Sequence, residues 1–320
     1  MSKITQWILA DAGLNDAGSL RYVLGTPARG STGRIFKHIL LAAAYIGILI
    51  AGAVGLKVAQ GAPSSIVYAA LYLPTVAAQA LVSAAAFGFT IHTVHTLRRK
   101  QTWDSLRVTA GGSASAIRAA WAAAIYYRLS GMIGVLIYAP RVVLLGFLLW
   151  DLTAFNGDYL TLIAGGHQPA ITPPFEIPLF GAYIAAAFLL PLSALGLEAA
   201  IGLLLSTFAR SRQTAGLIQI VLSVARAGWS LIPVALFASL TMDAGGGASP
   251  DGIRFVLLLI NGAAGDWGLG MMHAATVDRI WASVPYSAYI GVALLGVMLL
   301  HSGLTALILR WAARRAQNID

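Results

Sequence analysis

Three ionisable residues, Arg141, Glu198 and Arg226, stand inside stretches that are otherwise apolar. A charge at the centre of a bilayer costs at least about 2.5–3.5 kcal/mol on insertion scales, so such a residue faces a partner or a watery path. Counted at about 1.5 Å per residue from Arg128, Arg210 and Arg212, the three lie at similar depths of roughly 18–21 Å. Two readings stand. Glu198 and Arg226 form a structural pair within a helix bundle, or the three line a translocation pathway whose unmatched positive charge suits an anionic head group. The histidines are a second source of chemistry. His92 and His95 share a helical face, His38 comes at a similar level, and His301 has no evident partner. Imidazoles in such positions either ligate haem or zinc or are ordinary interfacial side chains.

Other chemistries lack their residues. A P-loop needs Gly-Lys followed by Ser or Thr to cradle phosphates, and no Gly-Lys dipeptide occurs in the chain. There is no Gly-x-Ser-x-Gly nucleophile elbow and no His-Glu-x-x-His zinc helix. With no cysteine, disulfides and thiolate metal sites are excluded. The expectation is a non-enzyme that carries no cofactor of its own.

The elements that hold these residues are membrane spans. Charged residues make up 10% of the chain and hydrophobic ones 58%, whereas a soluble domain needs about 25% charged residues. Apolar runs of about 20 residues cross a bilayer as helix, and six fit. They are His38–Lys57, Ser65–His95, Leu129–Trp150, Ile177–Leu205, Thr214–Leu240 and Trp281–Arg310. Pro74 and Pro191 are candidate kink sites, and the pairs Gly131/Gly134 and Gly291/Gly296 are candidate close-packing sites. Trp150, Trp281 and Trp311 fall at expected interfaces as anchoring belts.

The formal charge of +9 is distributed as a topology signal. Basic residues collect before the first span, after the second, between the fourth and fifth, and at the C-terminus, while the other loops carry most of the carboxylates. Lys and Arg mark cytoplasmic loops, so both termini are expected in the cytoplasm of a multi-pass protein of the cell membrane, with no nucleic-acid partner. Residues 1–36 form an N-terminal cytoplasmic segment, in which Trp7-Ile8-Leu9 and Tyr22-Val23-Leu24 suit either an interfacial amphipathic helix or a loose tail. That segment has no apolar core, so the first span is expected to act as its own insertion signal. Residues 37–320 form the transmembrane domain. Within it, residues 243–280 carry an apolar run, Phe255–Ile260, too short to cross. About eleven apolar residues there rise only about 16 Å as helix, so the segment reads as a re-entrant or interface-lying hairpin on the outer side.

Between the second and third spans lies a charged island, residues 97–118. Thr102 suits a helix N-cap, with Asp104 in the first turn. Thr109 to Ser115 break the helix and Ile117 starts the next. On composition alone the island is either a solvated loop that sets topology or a docking element. Its core, Lys100-Gln101-Thr102-Trp103-Asp104-Ser105-Leu106-Arg107-Val108-Thr109, resembles the first cytoplasmic loop of ABC-2-type transporter permeases. There a Gly-Thr-x-Glu-x-Leu-x-x-Thr-Pro pattern follows the second span; Gln101 stands for the glycine and Ala110 for the proline. Gly202 to Ala215 resembles that family's junction between the fourth and fifth spans.

The resemblance implies an all-α permease subunit with six transmembrane helices and a hairpin before the last. Its coupling helix would dock on a separate ATPase subunit through Arg99, Lys100, Thr102, Trp103, Asp104, Leu106 and Arg107. ATP and Mg would be bound and hydrolysed in that partner, and the permease would pair with itself or a similar chain among the membrane lipids. It also implies transport, with a leaning to export. The competing expectation is a non-transporting anchor or cofactor-carrying subunit of an electron-transfer complex, supported by the histidines.

Overall fold

The computed structural model describes residues 6, 8, 14, 31–59, 64–99, 112–147, 176–209, 211–242, 251–266 and 285–318. Among these residues the secondary structure is helical, with no strand. In hydrocarbon every backbone N–H and C=O must be satisfied within its own segment, and a helix does this with local bonds alone. The sequence supplies apolar runs long enough for that solution. Six helices are long and apolar enough to cross a membrane, over Phe36–Lys57, Ala70–Leu97, Ser130–Phe147, Gly181–Ser206, Arg212–Leu236 and Ile290–Gln317.

Helix α1 (Ser31–Val54) continues into a π-helical turn, Gly55–Ala59. Helix α2 (Ser64–Ile91) passes through a single turn residue, His92, into α3 (Thr93–Arg99). Helix α4 (Gly112–Ala122) runs on through a π stretch, Ala123–Arg128, to α5 (Ser130–Phe147), which contains a second π stretch, Ile133–Tyr138. Then come α6 (Glu176–Ser206), α7 (Arg212–Met242), the short α8 (Asp251–Ala263) and α9 (Pro285–Gln317). Pro74, Pro191 and also Pro233 lie inside helices, tolerated where packed neighbours can take up the freed carbonyl.

One boundary differs from expectation. The helix leading to the third span begins at Gly112 (φ 52°), so Ser113, Ala114 and Ser115 are helical and do not break the chain. The reason is tertiary. Ser113 and Ala116 are buried, and Ser113 Oγ donates to the Ala313 carbonyl at 3.1 Å. Contact with α9 therefore holds a segment whose local composition favours a turn.

The bundle is layered. Helices α6 and α2 are interior, whereas α1 and α7 present most of their apolar surface outward. The α6–α9 contact is the most extensive in the fold. It is close because Gly291 lies against the Tyr183 backbone, where a Cβ would sit 2.5 Å from the amide nitrogen. Gly131 likewise accommodates the His38 ring, but Gly134 and Gly296 meet nothing within 4 Å among the described residues. Two apolar clusters fill the interior. The one at the basic end, around Val94, Ile117, Leu203 and Ala312, also takes in Ile8 and Leu14 from the N-terminal segment.

Candidate functional site

The buried charges converge on the C-terminal end of α8. This helix ends in a Schellman turn, with Gly265 at φ 80°, the Gly265 amide donating to the Gly262 carbonyl at 2.7 Å and the Asp266 amide to the Asn261 carbonyl at 3.3 Å. Only glycine takes that backbone conformation without strain. Space demands it too, since a Cβ at Gly265 would lie 2.5 Å from Ala194 Cβ and 2.9 Å from Gln79 Nε2. The end of α8 is thus packed against the middles of α2 and α6, where water cannot solvate its last carbonyls.

Two arginines and a glutamine solvate them instead. Arg226, on α7, donates through Nε to Glu198 Oε1 on α6, through one terminal nitrogen to Ser230 Oγ one turn on, and through the other to the Ala264 carbonyl. Arg141, on α5, donates to its own Ile137 carbonyl at 2.9 Å, to Gln79 Oε1, and to the Gly265 carbonyl at 3.4 Å. The Asp266 carboxylate lies 3.6 Å from the same guanidinium. Gln79 closes the ring, its Nε2 donating to the Ala264 carbonyl at 3.0 Å. The C-terminus of a helix carries about half a negative charge on its unpaired carbonyls. Two guanidiniums there are therefore favourably placed, and each also reaches a carboxylate.

Two more polar contacts brace the same region. Asn261 Nδ2 donates to the Tyr72 hydroxyl at 3.1 Å. His301 Nδ1 pairs with Ser193 Oγ at 3.2 Å, so the histidine that lacked a partner in the sequence has one across the α6–α9 contact. Glu198 is 8% exposed, and its second oxygen, Oε2, has no hydrogen-bond partner among the described residues.

Of the residues singled out from sequence, Glu198 and Arg226 are in contact, while Arg141 joins them only through Gln79 and the end of α8. The spare positive charge of the pathway reading has a counter-charge here: Asp266, from the stretch 243–280, stands beside Arg141. Two guanidiniums and two carboxylates leave the cluster formally neutral. Gln79, Ser230, Gly265 and Asp266 were missed. A signal existed for Gln79, an isolated amide in an uncharged apolar helix, but none for Asp266, whose burial depends on where α8 ends. The cluster contains positioned cations and carboxylates without a nucleophile–base pair. Its geometry suits clamping one helix end to four others.

The proposed docking residues lie at the edge of the structure. Arg99 ends α3, and Lys100, Thr102, Trp103, Asp104, Leu106 and Arg107 are outside the described residues. So are Trp150 and Trp281, while Trp311 is exposed on α9. His38, His92 and His95 are partly buried at the basic end. Among the described residues no group of three or more His, Asp or Glu side chains is placed to hold a metal. No protein-family model, curated protein or solved structure matches the chain.

Proposed function

We propose that this chain is the membrane-spanning subunit of an ABC transporter of the ABC-2 type, working as an exporter by alternating access. Energy would come from ATP hydrolysis on separate nucleotide-binding subunits docked at residues 97–118. Both termini would face the cytoplasm at the cell membrane, and α8 would be the first arm of a re-entrant hairpin entering from the outer side. The permease would act as a dimer with itself or a similar chain.

The observation that carries this reading is the path from the island to the buried clamp. Helix α4 leaves the island and continues through one π stretch into α5, which contains a second and bears Arg141. π-helical turns are uncommon and concentrate where helices are functionally adjusted. A push on residues 100–111 would move α4 and α5 against α6 and α9, and Arg141 would carry the motion to the end of α8. The resemblance of Lys100–Thr109 to the ABC-2 coupling loop, the six candidate spans and the missing Gly-Lys support the same reading.

The test is gentle purification of the tagged full chain from its native host, followed by identification of any P-loop ATPase that comes with it. The expected result is such an ATPase in stoichiometric amount, lost on Trp103→Asp or Leu106→Asp while the permease remains folded. Unchanged association and ATPase activity in both variants would refute the docking role.

A further inference from the structure

A groove of about 540 Å³ opens between α4, α6 and α9 at the basic end of the bundle, separate from the clamp at α8. Its volume is in the range of about 300–1,000 Å³ typical of ligand sites. Arg118 of α4 and Arg310 of α9 stand at one end. Inward of them the walls carry the Thr305, Ser302 and Ser193 hydroxyls among the apolar side chains of Ile125, Leu189, Leu192 and Met298. The floor is Trp121, held by its Nε1–H donating to the Gly196 carbonyl at 2.9 Å.

We propose that this groove binds one anionic phospholipid from the leaflet on the basic side, its phosphate between Arg118 and Arg310 and an acyl chain along the apolar walls. Three features select that occupant. From Arg310 to Met298 the groove follows α9 for roughly 18 Å at 1.5 Å per residue, close to one leaflet of a hydrocarbon core about 30 Å thick. Along α9 the polar lining is graded in the right order, with Arg310 at the mouth, then Thr305 and Ser302, then Met298. The groove is also open along its length, since Leu189, Ser302, Ala306 and Arg310 are exposed. A lipid can therefore enter sideways from the bilayer. A soluble anion would use only the mouth and leave the apolar wall wet. The site does not depend on an ATPase partner, so its failure and the failure of the transporter reading are separate results.

The experiment uses the full chain in detergent, with phosphatidylglycerol, phosphatidylcholine and soluble glycerol phosphate titrated in parallel. The readouts are native mass spectrometry and the shift in unfolding midpoint. Phosphatidylglycerol is expected to be retained preferentially, one molecule per chain. Each basic side chain near a lipid headgroup is worth about 1 kcal/mol, so Arg118→Gln with Arg310→Gln should lower the preference roughly 25-fold. The two Lys replacements should restore most of it, and Ala306→Trp should fill the groove and abolish retention of either lipid. Equal retention of the two lipids, an undiminished preference in the Gln double variant, or equal stabilisation by glycerol phosphate would overturn the proposal. It would also be overturned if Ala306→Trp turned a dimer into a monomer, since the groove would then be an interface between copies.

Discussion

The clamp at α8 makes a quantitative prediction about charge burial. In Arg226→Ala, Glu198 keeps its buried position, loses the guanidinium that donates to Oε1, and has no partner for Oε2 among the described residues. An uncompensated buried charge of this kind costs about 3–5 kcal/mol. The Ala264 carbonyl suffers less, because Gln79 Nε2 still donates to it at 3.0 Å. In Glu198→Ala, Arg226 retains Ser230 and the Ala264 carbonyl, and the loss of one charged hydrogen bond is worth about 1.5–3 kcal/mol. The double variant removes both charges together. It should be less destabilised than Arg226→Ala alone, giving a favourable coupling energy of about 2 kcal/mol or more, within the span seen for residues in one network. The assay is unfolding of the four proteins in a graded mild-detergent and dodecyl sulfate mixture, followed by tryptophan fluorescence. Additive losses, or a double variant no better than the worse single, would refute the claim that Glu198 and Arg226 compensate each other.

The turn that ends α8 should be intolerant of a methyl group. Gly265→Ala combines a left-handed backbone cost of about 1–2 kcal/mol with about 1–3 kcal/mol of overpacking, because the Ala194 Cβ has little freedom to move. Gly262→Ala meets the flexible end of Leu294 and should cost less in the same unfolding assay; the reverse order would contradict the packing described. On α9, Gly291→Ala presses on the Tyr183 backbone and should destabilise by about 1–3 kcal/mol. Gly296→Ala meets nothing within 4 Å among the described residues and should be neutral or gain up to about 1 kcal/mol from helix propensity, so equal effects at the two sites would count against the α6–α9 contact. At the basic end the Arg315 guanidinium sits 4.1 Å from the centre of the Phe208 ring. Phe208→Leu should remove a cation–π contact worth about 0.5–1 kcal/mol, read as a lower midpoint that Arg315→Gln does not lower further.

Most of the helix placement was legible because a span is a local property. Arg212 to Leu236 is apolar and long enough whatever surrounds it, and so are the other five candidate spans. Glu198 and Arg226 stood out for the same reason, since a charge in such a run is costly wherever its partner lies. Asp266 and Gln79 did not stand out as partners. Asp266 belongs to Arg141 only because α8 stops at Gly265 and is inserted between α2, α6 and α9. Gly134 and Gly131 look alike in sequence, yet among the described residues only Gly131 has a close neighbour for a Cβ, the His38 ring from α1.

The sequence by itself determined the solvent of this chain, its helical class, the six segments able to cross a bilayer, and the three residues whose charge must be compensated there. Each follows from composition within a single stretch. Tertiary structure alone decided how those charges are compensated. Helices α6 and α7 are consecutive, yet they touch over a short length, and α7 packs chiefly on α2 and α8. Arg226 consequently divides its donors between Glu198 and the end of α8. A guanidinium has five N–H donors, and those of Arg226 find their acceptors on α6, on α7 itself and at the buried end of α8.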